Sequence, residues 1–391
     1  MERLRIGFFV QRAAGLPDFR NNVSAHVQIP CQTIELLRDR GHHVELVTTE
    51  HAEDLVLPDC VPSGIDVHYV PYGSRQRGST IMHSGFKKGV SPVHLVRQLH
   101  ALAALAKEQK YDLYHFCGGN GIGHLGGLLR RLGLDIPIVA TLSTGAFPER
   151  FGAIKNIFWS KLDATITSTK YFASQQLQSG LSSAIVRHGI CRDVSSVISS
   201  RKKKCNRDRV LFWRDPDKDN GADTCALAFD QLALKYPDIS FDFAIRPHWA
   251  PVREMDVVAE KYSNVRIHRF PYPDDATIED FLESSLCVVL PFRRLSINPQ
   301  FAIMESMAMG VPTITTSIES NGELIESGRD GYLVDPGDVD SIVECVERLI
   351  VDPELASRMG EFGVKRIAED WNWNRYADDL EGIYVGVLGR S

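Results

Sequence analysis

Two cations lie on one short polar segment where they could bind a phosphate group. Arg214 and Lys218 follow the apolar run 210–213 and precede Gly221. An arginine binds phosphate oxygens through parallel hydrogen bonds, and a lysine adds a compact point charge. A polar turn between a strand and a helix is therefore a candidate anion site. Taken alone, the segment fits a solvated turn better, in which the cations pair with the aspartates of the turn.

A second candidate site is the segment 298–312, which follows the apolar run 287–291. Its pattern predicts a helix that begins near Phe301. The first N–H groups of a helix lack partners and carry the positive end of its dipole, so they suit a diphosphate. Glu305 lies one turn further on an apolar face, where a buried carboxylate needs a partner such as a ribose diol. The candidate residues for binding such a nucleotide ligand are Asn298, Pro299, Gln300, Phe301 and Ala302.

A glycine pattern at Gly121, Gly123 and Gly126 formally matches the dinucleotide-binding motif GxGxxG. That motif also needs an acidic residue at the tip of the next strand, to hold the ribose. The next predicted strand, 136–142, ends instead in Ser-Thr-Gly. We therefore interpret the glycines as close helix–strand packing and do not expect a nicotinamide enzyme.

Short apolar runs alternate with helical patterns along the chain. Strands separated by single helices must be parallel, so the alternation predicts a doubly wound α/β fold. The pattern lapses at 191–208 into a polar, basic stretch, which predicts a linker between two similar halves. The predicted strands are 4–10, 43–48, 67–70, 113–117, 136–142 and 164–168 before it, and 209–213, 240–245, 265–268, 286–291 and 313–316 after it. The predicted helices include 25–40, closed by Gly41, then 92–109, 122–132, 225–235, 277–283 and 303–309.

The composition excludes several classes of protein. The 391 residues include 44 basic and 50 acidic side chains, a net charge of −6, so we do not expect binding to nucleic acid. The eight cysteines show no CxxC pair and no metal-ligand spacing, which favours reduced thiols and no metal site. No apolar run approaches the roughly 20 residues of a membrane span, and the apolar stretch near residue 6 is too short for a secretion signal. We expect a cytoplasmic enzyme of two domains.

Taken together, several segments resemble the group 1 (family 4) glycosyltransferases of the GT-B architecture. The resemblance extends over most of the chain. It lies in Arg187-His-Gly189 before the linker, Phe212-Trp-Arg214 to Gly221, Met304-Glu305 to Pro312, Asn321-Gly322-Glu323 with Gly328 to Asp338, and the late stretch Trp371 to Tyr384.

The resemblance implies an α/β protein of GT-B architecture, with two Rossmann-like parallel-sheet domains facing across a cleft. Residues 1–190, completed by a C-terminal helix at 372–391, would form an acceptor domain. Residues 209–371 would bind a nucleoside diphosphate sugar. Such enzymes transfer the sugar to an acceptor hydroxyl, usually with retention of configuration and without a metal or other cofactor.

The resemblance also assigns roles to residues. Arg214 and Lys218 would hold the donor diphosphate and stabilise the charge on the leaving group, and Glu305 would hold the ribose. Phe270 would lie against the nucleobase, and a loop that contains Asn22 and Val23 would cover the phosphate from the other domain. The acceptor or sugar side would include His26, His115, Cys117, Gly118 and Gly119.

Two of these acceptor-side assignments have competing interpretations. His115 lies on a buried strand and is more typical of a satisfied core histidine than of a base. His26 lies where a predicted helix begins, and a capping role is as well supported as an acceptor contact.

The nature of the acceptor is left open. A glycan, a lipid-linked molecule or a small molecule would all be compatible. A basic, apolar stretch could form a membrane-facing surface, which would place the protein peripherally at the inner membrane face, although an ordinary solvated helix is favoured. Its residues are Arg75, Arg77, Ile81, Met82, Phe86, Lys87, Lys88, Val93, Leu95 and Arg97.

Two departures from the family pattern leave alternatives open. Ile297 stands eight positions before Glu305, where the family has a glutamate that would touch the donor sugar. Cys117 stands where the family often has an active-site histidine. A different sugar or a repositioned contact would explain both. A binding subunit with weak or no catalysis is a second hypothesis, and a nucleotide-sugar epimerase on the same fold is a third.

Overall fold

The computed structural model describes residues 2–14, 25–50, 55–71, 92–144, 158–178, 180–190, 207–248, 250–295 and 297–389. The chain divides into two compact units. The first unit comprises Met1–Cys191 and Trp373–Ser391, and the second unit comprises Arg192–Asn372. Within the described residues, no helix is long and apolar enough to cross a membrane.

Strands and helices alternate through both units. The strands are β1 (Arg5–Val10), β2 (His43–Thr49), β3 (Val67–Val70), β4 (Leu113–Gly119), β5 (Ile138–Thr144), β6 (Ala164–Thr167), β7 (Ala184–Ile185), β8 (Arg209–Phe212), β9 (Ser240–Ile245), β10 (Val265–Arg269), β11 (Ser285–Leu290), β12 (Thr313–Thr316) and β13 (Gly331–Val334). The helices are α1 (Ala25–Asp39), α2 (Pro92–Gln109), α3 (Asn120–Arg131), α4 (Lys170–Gln178), α5 (Ala222–Lys235), α6 (Glu254–Lys261), α7 (Ile278–Glu283), α8 (Phe301–Ala308), α9 (Asn321–Leu324), α10 (Val339–Val351), α11 (Pro353–Asp370) and α12 (Trp373–Leu388). A 3₁₀ turn lies at Pro273–Asp275.

Each unit contains one parallel sheet. The first unit has seven strands in the order β3-β2-β1-β4-β5-β6-β7, and the second has six in the order β10-β9-β8-β11-β12-β13. Both orders reverse direction beside their first strand, as in a doubly wound fold, which leaves a crevice at the carboxyl ends of the strands. That switch point lies between β1 and β4 in the first unit and between β8 and β11 in the second. The predicted α/β fold with two Rossmann-like sheets is confirmed.

The strands form where the sequence offers continuous apolar runs, because helices cover both faces of a parallel sheet. Every residue of β11 is buried, and so are five of the six residues of β1. The strand predicted at 67–70 has those bounds, and Gly41 ends the first helix with a φ of +94°. Strands β7 and β13 and helices α6, α9, α10 and α11 were not predicted; β7 and β13 have only two and four residues, which is too short for a clear periodic signal.

The last helix belongs to the core of the first unit. Tyr376, Leu380 and Tyr384 of α12 are buried in the same apolar cluster as Ile6 and Phe8 of β1. The indole N–H of Trp373, at the start of α12, donates to the carbonyl oxygen of Ile190 at 2.7 Å. The carboxyl end of the chain thus packs against the sheet formed by its beginning.

Two buried residues of β4, His115 and Cys117, lie on the side of the sheet that α12 covers. His115 is fully buried, with Nδ1 bonded to the Tyr384 hydroxyl and Nε2 2.8 Å from the Thr141 hydroxyl. Burial lowers the pKa of His115 to about 3, so the imidazole is neutral at pH 7. Cys117 is 3% exposed, and burial raises its pKa to about 12. His115 is therefore a satisfied core histidine, as its strand position favours, and its alternative assignment to the acceptor side is wrong.

The glycines of the GxGxxG pattern allow close packing. A Cβ on Gly123 would lie 2.8 Å from the Trp159 ring, and one on Gly126 would lie 2.9 Å from Leu162. These distances are too short for real contacts, so α3 can approach its neighbours only without side chains at these positions. The packing interpretation of this pattern is confirmed.

Helices α8 and α11 make a similar close approach in the second unit. A Cβ on Gly360 of α11 would lie 2.0 Å from the carbonyl oxygen of Gly310, just beyond α8. Three residues later, a Cβ on Gly363 would meet Met307 at an ordinary 3.5 Å. Of these two glycines, only Gly360 lies where a side chain would collide with the backbone at the end of α8.

We predict that Gly360→Ala lowers the free energy of unfolding by about 2 kcal/mol, because the added methyl group forces the two backbones apart. Gly363→Ala is the matched control in the same helix, and we expect it to be neutral or slightly stabilising, since alanine favours helix. Urea unfolding of both variants measures the difference. Equal stabilities for the two variants would contradict the close contact.

We also predict that His115 makes stability depend on pH. Its pKa is lower in the folded chain than the ordinary value near 6.5, so below pH 6.5 only the unfolded chain takes up the proton. Stability is therefore lost as pH falls from about 6.5 towards 3, by roughly 1.4 kcal/mol per pH unit from this group. Urea unfolding at pH 7.5 and 5.5 should show a smaller loss for His115→Gln than for the wild type. Parallel losses would show that His115 does not contribute.

Candidate functional site

The candidate site lies at the carboxyl edge of the sheet of the second unit. The loop 213–221 follows β8, and the segments 291–295 and 297–300 follow β11, so they flank the switch point. The segment 317–320 follows β12, the next strand along the sheet. In open α/β sheets this edge binds ligands.

The first of these loops is held against the end of β11. Gly221 has a φ of +76°, and a Cβ there would lie 1.9 Å from the carbonyl oxygen of Pro291, so only glycine fits. Arg293 donates from Nη1 to the carbonyl oxygen of Lys218 at 3.0 Å. The backbone N–H of Arg293 donates in turn to the carbonyl oxygen of Asp219 at 2.9 Å. The loop backbone is thus fixed by contacts that leave the side chain of Lys218 exposed to solvent.

The aspartates of this loop pair with residues that follow β9. Arg246 donates from Nε to Asp215 at 3.2 Å, and Nε2 of His248 lies 3.4 Å from Asp217. Within the part of the chain that the structure describes, neither Asp215 nor Asp217 forms a close ion pair with a cation of its own loop. Close ion pairs within the turn, which the segment favours on its own, are therefore not formed among the described residues, although Asp215 and Asp217 still act on the charge of Arg214.

Arg214 is the half-buried cation of the site. Its Nε is buried and has no hydrogen-bond partner among the described residues. Burial lowers the pKa of the guanidinium, and the nearby Arg246 lowers it further. The opposing charges, which raise its pKa, are the carboxylates of Asp215, Glu305 and Asp217. Arg214 and Glu305 are thus close enough for their charges to interact, as expected for two groups of one site.

Helix α8 brings Glu305 to this edge. All eight of its residues are buried, and Glu305 is 5% exposed. The helix is anchored to the end of β8 because the indole N–H of Trp213 donates to the Ser306 hydroxyl at 3.1 Å. That hydroxyl donates to the carbonyl oxygen of Ala302 at 2.7 Å, one turn earlier. Trp213 therefore fixes the helix of Glu305 beside Arg214.

The residues that precede α8 are polar and buried. Asn298 is 3% exposed, and its amide group bonds both the carboxylate of Glu319 and the hydroxyl of Ser320. Gln300 is the N-cap residue of α8 and is fully buried, yet neither atom of its side-chain amide has a hydrogen-bond partner among the described residues. Pro299, Phe301 and Ala302, the other candidates from this segment, are also buried.

Phe270 directly follows β10, which is the edge strand of the sheet on the side away from β12. It is half-buried and stacks edge-on against Tyr272, with 5.5 Å between the ring centroids. Tyr272 contacts Phe281 in the same way, at 5.1 Å. An aromatic cluster therefore lies beyond the carboxyl end of β10, where the resemblance places a nucleobase.

The remaining candidate residues belong to the first unit. His26 is half-buried in the first turn of α1, and burial lowers its pKa. Gly118 and Gly119 end β4. Gly118 has a φ of +149°, and a Cβ there would lie 2.5 Å from the side chain of Ile122. Asn22 and Val23 lie outside the described residues.

One group among the described residues has the geometry of a metal site. His43, Glu45 and Asp66 each place a potential ligand atom within 4.8 Å of the others. The Glu45 carboxylate already accepts from the Arg5 guanidinium at 2.7 Å and from the Tyr111 hydroxyl at 2.7 Å. These donors account for the carboxylate without a metal ion. The group lies in the first unit, at the start of β2, away from the carboxyl ends of the strands.

Several residues of the second-unit site were not singled out from the sequence. Trp213 and Asn321 were quoted within motifs without a role, and Glu319 and Ser320 were not quoted. Glu319 has a φ of +45°, unusual for a residue with a side chain, and no sequence pattern announces this. Asn321 is fully buried, and its Oδ1 has no hydrogen-bond partner among the described residues.

Two family models match the chain, one in each unit. The model described as "Glycosyl transferase 4-like domain" matches residues 28–186, and the model described as "Glycosyl transferases group 1" matches residues 209–352. Together they span most of both units.

Curated relatives match shorter segments. The chain is 32% identical over 88 residues to the capsular polysaccharide biosynthesis glycosyltransferase CapM of Staphylococcus aureus, covering 22% of this chain and 23% of that protein. It is 31% identical over 188 residues to spore coat protein SA of Bacillus subtilis, covering 45% and 48%. The chain thus spans between about a quarter and about a half of the length of these relatives.

Solved structures share the whole fold. A glycosyltransferase from Rickettsia africae superimposes with a TM-score of 0.72 at 15% identity, over 100% of both chains. Anabaena Alr3699/HepE, solved in complex with UDP and glucose, gives a TM-score of 0.66 at 16% identity, over 97% of this chain and 99% of that one. With a family model on each unit and this shared fold, the chain belongs to the group 1, family 4-like glycosyltransferases of the GT-B fold.

Proposed function

We propose that this protein transfers a sugar from a nucleoside diphosphate sugar to the hydroxyl group of an acceptor. The observation that carries the proposal is the half-buried Arg214, whose buried Nε lacks a partner among the described residues while its charge interacts with Glu305. A buried donor without a partner is unfavourable, and a phosphate oxygen is the strongest acceptor for a guanidinium.

The neighbouring charges support a diphosphate at this place. Asp215 and Asp217 form their close contacts with Arg246 and His248, so together with Glu305 they act on the charge of Arg214 without a close ion pair to it among the described residues. Lys218, exposed on the same loop, adds a second positive charge. The N-terminus of α8 adds a third source of positive potential, since its first N–H groups have no partners within the helix.

These groups would act on the leaving group. As the bond between the sugar and the diphosphate breaks, negative charge grows on the phosphate oxygens, and fixed donors that face those oxygens lower the barrier. Glu305, on the first turns of α8, would accept hydrogen bonds from the ribose diol. Phe270 and its aromatic neighbours would pack against the nucleobase.

We further propose that the reaction proceeds with retention of configuration and without a metal ion. Cations and helix N–H groups neutralise the diphosphate in this arrangement, which is the task a divalent metal performs elsewhere. The fold neighbour from Anabaena was solved with UDP and glucose, which supports a nucleotide sugar as the donor. The acceptor would be a glycan, a lipid-linked molecule or a small molecule.

We predict that Arg214→Ala abolishes most of the affinity for nucleoside diphosphates. Loss of a charge-assisted, desolvated phosphate contact is expected to weaken binding by about 10- to 100-fold. Isothermal titration calorimetry with UDP, GDP and ADP measures the effect, using the nucleotide that the wild type prefers.

Arg329→Ala is the matched control for loss of a positive charge. Arg329 lies on the surface of the same unit, half-exposed and paired with Glu326 at 2.9 Å, and its removal should leave nucleotide affinity unchanged. A wild-type protein that binds none of the three nucleotides would overturn the proposed function. So would an Arg214 variant that binds them as tightly as the wild type.

A further inference from the structure

The ends of three strands at the candidate site carry buried polar atoms that have no hydrogen-bond partner among the described residues. Arg214 follows β8, Gln300 follows β11 and Asn321 follows β12. The Nε of Arg214, both amide atoms of Gln300 and Oδ1 of Asn321 have no hydrogen-bond partner within the described ranges. Buried polar atoms are nearly always bonded, and each exception costs free energy. A cluster of such exceptions at one edge of a sheet indicates a ligand that completes the bonds.

The atoms differ in what they require. The Nε of Arg214 is a donor, so a phosphate oxygen satisfies it. Oε1 of Gln300 and Oδ1 of Asn321 are acceptors, and they need a group that donates. A diphosphate has no donor at neutral pH. A hydroxyl group both donates and accepts, so a ring with several hydroxyl groups would satisfy the two amides.

A carboxylate lies on the segment after β12 that also carries Asn321. Glu319 is half-buried, and its carboxylate accepts a hydrogen bond from the side-chain amide of Asn298. Asn298 is also bonded to Ser320, so it ties the segment after β12 to the segment that carries Gln300. A carboxylate accepts hydrogen bonds from several hydroxyl groups at once, and such charge-assisted bonds are stronger than neutral ones.

The backbone of Glu319 is itself unusual. Its φ of +45° lies in the left-handed region, which disfavours residues that carry a side chain. Glycine would occupy this position without strain. A strained side chain that persists at a ligand-binding edge suggests that the side chain is used there.

We propose that Glu319 and Gln300 recognise the hydroxyl groups of the donor's sugar, with Glu319 supplying the carboxylate that Ile297 does not. This inference rests on the proposed function. Ile297 is 5% exposed and offers only an apolar surface on the segment before Asn298. The bond to Asn298 brings the Glu319 carboxylate to the same segment from the neighbouring strand end. Glu319 thus sets the preference for the sugar, whereas Arg214 holds the diphosphate.

The test compares a nucleoside diphosphate with its sugar derivative. Calorimetry uses the pairs UDP and UDP-glucose, GDP and GDP-mannose, and ADP and ADP-glucose, and the pair that the wild type binds is carried forward. Glu319→Gln should weaken binding of the sugar nucleotide by about tenfold, because a charge-assisted bond becomes a neutral one. Gln300→Met, similar in length but without the amide, should weaken it by about fivefold to tenfold. Both variants should bind the free diphosphate within about twofold of the wild type.

The outcomes separate this inference from the proposed function. A wild type that binds none of the pairs overturns the proposed function and the inference with it. A wild type that binds a pair, with variants that lose affinity equally for both members or for neither, overturns the inference alone. Arg214→Ala should weaken both members equally, which distinguishes the diphosphate contact from the sugar contact.

A second variant excludes a purely structural role. Glu319→Gly relieves the backbone strain, so its melting temperature should equal or exceed that of the wild type while the extra affinity for the sugar nucleotide is lost. Lys110→Gly is the matched control, because Lys110 is exposed, has a φ of +53° and lies in the first unit. It should show the same thermal behaviour with unchanged binding. A lower melting temperature for Glu319→Gly, with diphosphate affinity also lost, would show that Glu319 only clamps the two segments and would overturn the proposal.

Discussion

The desolvation of one guanidinium governs the arrangement of the second unit's carboxyl edge. A buried cation is unfavourable unless charges and acceptors compensate it. Around Arg214 the compensation is incomplete, because Asp215 and Asp217 of its own loop act on its charge but form their close contacts with Arg246 and His248. Glu305 acts on its charge from α8, but Nε still lacks an acceptor among the described residues. The fold thereby maintains a site that an anion would complete.

Such a site requires a rigid frame, since a mobile loop would turn its cations to solvent. The frame here consists of backbone contacts and one indole. Gly221 lets the loop after β8 approach the end of β11, and Arg293 holds the loop carbonyl groups. Trp213 fixes α8 through Ser306, so the helix that carries Glu305 cannot shift relative to Arg214 without breaking a buried hydrogen bond.

The sequence predicted what depends on local patterns. Continuous apolar runs indicated the strands, and the loop after one of them indicated Arg214. The sequence could not show which distant residues form hydrogen bonds or ion pairs with each of these side chains. His115 binds the Tyr384 hydroxyl across 269 positions of the chain, so spacing alone could not separate a core histidine from a catalytic one. For the same reason the sequence could not show that the aspartates of the loop form their close contacts with Arg246 and His248, which follow a different strand.

The missing glutamate at position 297 shows the same limit of arguments from spacing. In a motif of two carboxylates eight positions apart, one helix and the loop before it supply both groups. In a parallel sheet, however, the carboxyl ends of all strands converge on one edge, so a neighbouring loop can supply a carboxylate to the same place. Glu319 reaches the Asn298 amide from the loop after β12, 21 positions away. Ile297 therefore removes a carboxylate from the motif without removing one from the edge of the sheet, and the loss of a motif residue is not by itself evidence for a loss of catalysis.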